Sequence, residues 1–525
     1  MAALSTAFKT ALSSYGMRLI FGLEVNGLKP SIDDSASSTT QILAGSEPHY
    51  IESTSQWFRN PWKTSVRFKR SAQHVLEANG GAEVVSTYGA LEFPNFDKEL
   101  DDDWGAAGYQ TANQAVTVTL QVVPDRYSRL GPETAVIFNG LAESHTLTDT
   151  TFSVPVTSEL SKLDTQLVTT EITVIDYPYA PDASVGRMKP LILGHVYNAE
   201  GISVDPLDGG GKFLFAYHEC DTGTFYRNGL LMVAGVDYTP NLAGTDGASI
   251  TLINGRQGAR ITGDIQGITP AHLGAFSDKL TELNLAVLLL AGFTLSEFDA
   301  AALTTLRATY DYGMGLIVTA TRSARDIFRE LNVGIPLFLE QYRDGELILS
   351  PWTDPSGTAE VTFVRDVEVL SADSRAAPLI REVDFTYAPY ETLMTAGDLA
   401  GVLLDDDPDR VDRLSAASRT YRATVATADA QLPVFAADTR INSLGDITDL
   451  GAKVLALYGT PHIQITTQVR SSGVGIRGIG SVISFSRERL GLDKGDLLAR
   501  VADMEEIWDS GGVTVNLTIW RKAIS

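Results

Sequence analysis

One cysteine in 525 residues, Cys220, excludes an intrachain disulfide and any site built from several thiolates. It stands in a Phe/Tyr-rich stretch and reads as a small buried apolar residue rather than a nucleophile. Basic residues are short beside acidic ones: 41 Lys and Arg against 65 Asp and Glu, a net charge of −24. Wrapping nucleic acid requires clustered cations on the phosphates, so that class is disfavoured. An acidic surface suits solubility, or a wall that must not bind a polyanion. Long apolar runs are absent too. The longest, Leu285 to Phe293, is less than half of the roughly 20 residues that span a bilayer, and it reads as core. The N-terminus lacks the basic-then-apolar order of a secretory signal, so the chain reads as soluble and made in a reducing compartment. With 46 Gly and 21 Pro, neither collagen nor low complexity fits. The length allows about three or four domains with cores that need no metal or disulfide.

The residues that are present are mostly β-forming. Val116, Val118, Leu120 and Val122 alternate with polar residues, the pattern of a strand with one buried face. Residues 171–175 read as another strand, closed by the prolines at 178 and 181, and a boundary is placed there. Leu4, Phe8, Leu12 and Tyr15 have helical spacing, and the polar run Ser31 to Ser46 reads as a loop. Further on, Asn228-Gly229 between apolar runs predicts a hairpin, because its tight turn needs two residues tolerant of positive φ. Thr269-Pro270 predicts a helix start carrying Leu273, Phe276 and Leu280 on one face. Ser296 to Asp299 resembles a capping box opening a helix to about Tyr310, and a third helix is expected from Ser323 to Leu331. Asp344-Gly345 marks a second hairpin. After Val361 strands return, interrupted from Ala396 to about Ala430 by acidic loop and helix. Ile463, Ile465 and Thr467 alternate, as do residues 513–519. The expected units are a β domain at 1–175, a second at 176–266, a small α+β domain at 267–360 and a C-terminal β domain at 361–525. The fold class is mainly β, multidomain α+β.

Chemistry is hard to place. Gly473 to Gly478 matches a dinucleotide-loop spacing, but Ser481 to Phe485 beyond it read as a strand rather than the required helix. The acidic runs at Asp405 to Asp409 and Lys98 to Asp103 lack a calcium loop's spacing and read as solvated turns. His49, His74, His145, His195, His218, His272 and His462 are scattered, with no pair at metal-ligand spacing on a helix. No serine-hydrolase elbow occurs, and nothing selects two carboxylates from 65. No catalytic residue, metal or cofactor is expected. The one aromatic–basic cluster comprises Trp57, Phe58, Arg59, Trp62, Lys63, Arg67, Lys69 and Arg70. It could stack sugars or bases. It also fits an amphipathic strand with aromatics in the core and cations at the rim. A third reading is an interface patch centred on Trp57, Phe58, Arg59 and Trp62.

The order of segments carries a resemblance. Residues 190–198 (PLILGHVYN) precede Tyr226-Arg-Asn-Gly-Leu230, Gly235-Val-Asp-Tyr238 and residues 261–267 (ITGDIQG). Then come residues 323–332 (SARDIFRELN), the hairpin at 342–349, Leu490 to Asp496, Met504 to Trp508 and Val513 to Trp520. Over residues 175–525 this resembles the tail hub proteins of long-tailed bacteriophages and related gene-transfer particles. The resemblance implies barrel-like β domains either side of the α+β unit, two per chain, and a homotrimeric ring of pseudo-sixfold symmetry at the tail tip. It implies contacts with the tail tube or distal tail protein, a central fibre or spike protein and the tape-measure protein. DNA would pass through unbound, and assembly would occur in the bacterial host cytoplasm. Ending at residue 525 implies a spike or fibre on another chain. The competing reading is a carbohydrate-binding or carbohydrate-cleaving receptor-recognition protein on a β scaffold.

Overall fold

The computed structural model describes, within 1–113, residues 7–8, 18–29, 38–45, 49–51, 56–58, 60–61, 66–72, 85–88 and 90–94. It then describes 114–123, and 133–522 apart from 207–210, 245, 254–258, 344, 365–368, 377–378, 402–407, 426–430, 470–474, 488–491 and 510–511. Two eight-stranded sheets dominate. In the first, Arg18–Lys29 lies between Ser38–Gly45 and Ala115–Val123, and Glu133–Ala142 and Thr151–Thr157 extend it. Val116 and Val118 are fully buried, as their alternation requires. The second sheet is built around the 18-residue strand Leu492–Asp509, with Gly512–Lys522 along one edge and His462–Val469 beyond. Val513, Val515, Leu517 and Ile519 alternate inward there. Both sheets have open strand orders among the described residues.

The other edge of the long strand is shared. Val482–Arg487 pairs with its first half, and a strand from far upstream, Val66–Ser71, pairs with residues 503–508. Val85–Tyr88 lies outside Val66–Ser71. Thus the second sheet takes two strands from the first hundred residues.

Between the large sheets in sequence, residues 191–266 form a four-stranded sheet and, with Gly315–Val318, a five-stranded one, around a separate apolar cluster that includes Phe215, Phe225 and Ile250. The Asn228-Gly229 hairpin forms, with φ of 49° and 81° at the turn and Arg227 opposite Leu230. Helix α1 (Leu280–Leu290) buries the apolar run on nearly every face. Helix α2 (Ala300–Thr309) is capped by Asp299, whose carboxylate accepts from the amides of Ala301 and Ala302. Helix α3 (Ala324–Leu331) is capped by Ser323 and buries Ile327, Phe328 and Leu331. Its neighbour is the hairpin Leu337–Gln341 with Leu347–Pro351, where Gly345 takes φ 87°. Helix α4 (Pro408–Ser415) fills part of the acidic interruption. Helix α5 (Leu444–Tyr458) backs the three-stranded sheet of Glu382–Tyr387, Arg419–Thr424 and Val434–Asp438.

Five expectations change. Within the Ala396 to Ala430 interruption, expected as loop and helix, Arg419–Thr424 is a strand paired with Glu382–Tyr387. Thr269-Pro270 opens a single turn rather than a helix. The amides of Leu273 and Gly274 both bond Pro270 O, and Gly274 at φ 64° ends the turn, leaving α1 to start at Leu280. The capping box belongs to Thr294 and Glu297, on a short 3₁₀ turn before Asp299. Residues 171–175 form no strand, because the Tyr177 amide bonds Thr173 O and turns the chain, exposing Val174 and Ile175. Within Ser31 to Ser46, residues 38–45 are a paired strand. Of the N-terminal helix that the spacing suggests, only residues 7 and 8 are described, both helical.

Gly480 illustrates how tightly the hairpin packs on the second sheet. Its φ is 80°, and an added Cβ would run into the Phe338 ring. Gly480→Ala is therefore expected to lower folding stability by about 2 kcal/mol or more, read as a shifted urea midpoint.

Candidate functional site

The aromatic–basic cluster divides. Trp57 and Phe58 lie in Gln56–Phe58, paired with His49–Ile51. Arg59, Trp62 and Lys63 lie outside the described residues, as do Lys98 to Asp103 and Asp405 to Asp407. Arg67 to Arg70 sit on Val66–Ser71 with alternating exposure: Arg67 and Lys69 face solvent, Phe68 and Arg70 face in. The rim reading therefore fails for Arg70, which is 2% exposed. Strand periodicity puts it on the same face as Phe68, and a carboxylate waits there.

That carboxylate is Glu340, on the central hairpin, 3.6 Å from the Arg70 guanidinium. Beside it Arg343 pairs with Glu506 of the long strand, and all four side chains are buried. Burial pushes the Glu340 carboxyl up to about 8, against the pull of Arg70, the Ile479 amide and Arg343. Three parts of the chain meet here. Phe68 stacks on Phe138 of the first sheet with ring centroids 5.1 Å apart, and Ser71 Oγ donates to Asp503 at 2.5 Å. On the other side of the hairpin, the buried Gln341 accepts the Glu159 amide at 2.8 Å.

A second junction holds the C-terminal edge. Trp520 stacks on His462 at 4.0 Å, and His462 faces Asp354 Oδ1 at 2.9 Å and Thr460 O at 2.7 Å. Trp352 packs against Trp520 and Phe338, with Arg500 donating to Thr353 O and Gly480 O. His462 and Arg500 thereby tie distant segments together, while the buried Trp352 indole nitrogen has no hydrogen-bond partner among the described residues.

Among the described residues, a groove and an exposed aliphatic cluster stand out on the surface. A groove of about 890 Å³ lies over the outer face of the three-stranded sheet, lined by Glu330, Asp384, Tyr390, Glu391, Arg422 and Arg440. Arg440 bridges Glu330 and Glu391, and Arg422 holds Asp384. Burial would raise Glu330, but Arg440 and Arg322 outweigh it and hold its carboxyl below the usual range. The second surface is the aliphatic cluster Leu231, Val233 and Val236 after the Asn-Gly hairpin, each more than half exposed. Sequence reading missed it, though four apolar residues on the heels of a turn signal were visible.

Cys220 is buried, and desolvation lifts its thiol to about 12. It should resist a thiol reagent in the native protein at mildly alkaline pH and react stoichiometrically after denaturation, as read by mass. Among the described residues no group of three His, Cys, Asp or Glu could hold a metal, and no helix is long and apolar enough to cross a membrane.

No protein-family model and no curated protein matches the chain. Solved structures similar to it include a gene transfer agent virion chain, bacterial and prophage tail proteins and chains of a PdpA–VgrG complex. A chain from the virion of a native gene transfer agent particle aligns over 69% of this chain and 92% of its own, at 13% identity and a TM-score of 0.46. The 43 kDa tail protein of prophage MuSo2 from Shewanella oneidensis aligns over 96% and 98%, at 10% identity and a TM-score of 0.38. A tail protein from Neisseria meningitidis MC58 aligns over 97% of both chains, at 9% identity and a TM-score of 0.39.

Proposed function

We propose that this chain is a structural hub at the distal end of a phage-type tail, a homotrimeric ring joining the tail tube to a tip fibre or spike. The observation that carries the reading is the presence of two eight-stranded sheets in one chain. Three copies of such a chain present six comparable sheets, which is what a threefold ring needs to meet a sixfold tube. The order of motifs along residues 175–525 supports the same reading. So does the use of buried ionisable groups: Arg70, Glu340, Arg343 and Glu506 fix one segment against another. The role is structural rather than enzymatic. In this reading the ring contacts the tail tube or distal tail protein, the fibre or spike and the tape-measure protein, and Trp57, Phe58, Arg59 and Trp62 belong to a subunit or neighbour contact. The surplus of acid faces the lumen, where it keeps passing DNA hydrated and unbound; screening confines this to carboxylates within about 8–10 Å of the channel.

Native mass measurement tests the ring. Three copies are expected, and a stable dimer would overturn it. Incubation with host polysaccharides separates the carbohydrate reading: released product, abolished by one carboxylate substitution, would replace the hub assignment.

A further inference from the structure

The long strand Leu492–Asp509 has one edge filled by two strands end to end. Val482–Arg487 covers only its first half. Without Val66–Ser71, residues 503–508 would be an open edge, with Met504 and Glu506 on its buried face. An open edge of that kind is a template for any extended segment that fits. The fit is specific: Phe68 stands opposite Glu506 and stacks on Phe138, while Arg70 stands opposite Met504 and reaches Glu340. On the outer face Lys69 opposes Glu505.

We infer that residues 503–508, with Glu340 and Phe138 as flanking walls, form a strand-acceptor site that Val66–Ser71 occupies in cis as a removable strap. Only four residues separate Pro61, in the first sheet, from Val66. Five peptide steps reach at most about 18 Å, so the strap stays with its own chain when the two sheets lie together. The segment that fits is extended and carries an aromatic and an arginine two residues apart. Such a segment adds by main-chain pairing, with the two side chains setting its register.

The test uses the full chain and a synthetic peptide of residues 64–73. Arg70→Asp puts a carboxyl where a guanidinium faces Glu340. Amide exchange at 66–72, 85–88 and 503–508 should then quicken on the order of a hundredfold, while 512–522 keeps its protection. Adding the peptide should restore protection at 503–508, and a peptide with Asp for Arg at position 70 should not. Equal loosening of both sheets in Arg70→Asp, or failure of the peptide to restore protection, overturns the acceptor site. Should that variant fail to fold, Lys69→Cys with Glu505→Cys pins the strap by a disulfide across facing positions. Labelled peptide should enter the reduced protein and not the oxidised one; uptake that ignores the disulfide, or none in either state, overturns the proposal.

Discussion

Glu506→Ala should cost about 3–5 kcal/mol of folding stability, among the largest single-residue effects in this chain. Glu506 is 1% exposed and pairs with Arg343, itself buried at the foot of the central hairpin. Removing the carboxylate takes from a buried guanidinium the carboxylate it pairs with, with no water to replace it. The loss comes from the abandoned charge rather than from the worth of the pair, so a second change should return much of it. Arg343→Met in the Glu506→Ala background is expected to recover more than half of the lost stability in urea titrations. Additive losses in the double variant would show that the two side chains are not coupled.

The second large effect is a dependence on pH that rests on Glu340. Its carboxyl, held up to about 8 by burial, keeps a proton that the unfolded chain releases near the ordinary carboxylate value. The folded state therefore binds the extra proton between those two values. Stability from this group is fullest below the unfolded value and is lost as pH rises through about 8. Between about pH 5 and pH 9 the loss should be on the order of 4 kcal/mol. Glu340→Gln keeps the shape, cannot ionise, and should flatten the profile. An unchanged profile in that variant would assign the pH dependence to other groups.

Local signals in the sequence were reliable where the physics is local. Asn228-Gly229 turns because those two residues tolerate positive φ, and Ser323 caps because its hydroxyl reaches the Asp326 amide. Alternation at Val116 and Val118, and again at Val513 to Ile519, exposed which face was core. One signal failed locally: Thr269-Pro270 has a helix start's chemistry, yet Gly274, four residues on, closes the turn before any apolar face can be used. Other signals failed where a distant contact decides. Arg70 looked like a rim cation because its partner Glu340 lies 270 positions on in the chain. The candidate site was the least legible part for the same reason. Its four ionisable side chains come from three segments, brought together by the pairing of residues 503–508 with Val66–Ser71 and by the packing of the hairpin against both. No spacing within one segment could reveal it.

That pairing also has a consequence for synthesis. Ser71 and Asp503 are separated by 432 positions. At about 5–20 residues per second, the strap waits roughly 20–90 s after leaving the ribosome before its acceptor strand exists. The first sheet draws all its strands from residues up to 157 and can assemble in that interval. Val66–Ser71 can meanwhile pair only with Val85–Tyr88, as a hairpin whose other edge is unclaimed. Nascent chains on one messenger thus display the same waiting edge in close succession. Slowing translation downstream of residue 157 should lengthen that exposure and raise the aggregated fraction, whereas slowing it after residue 509 should have little effect.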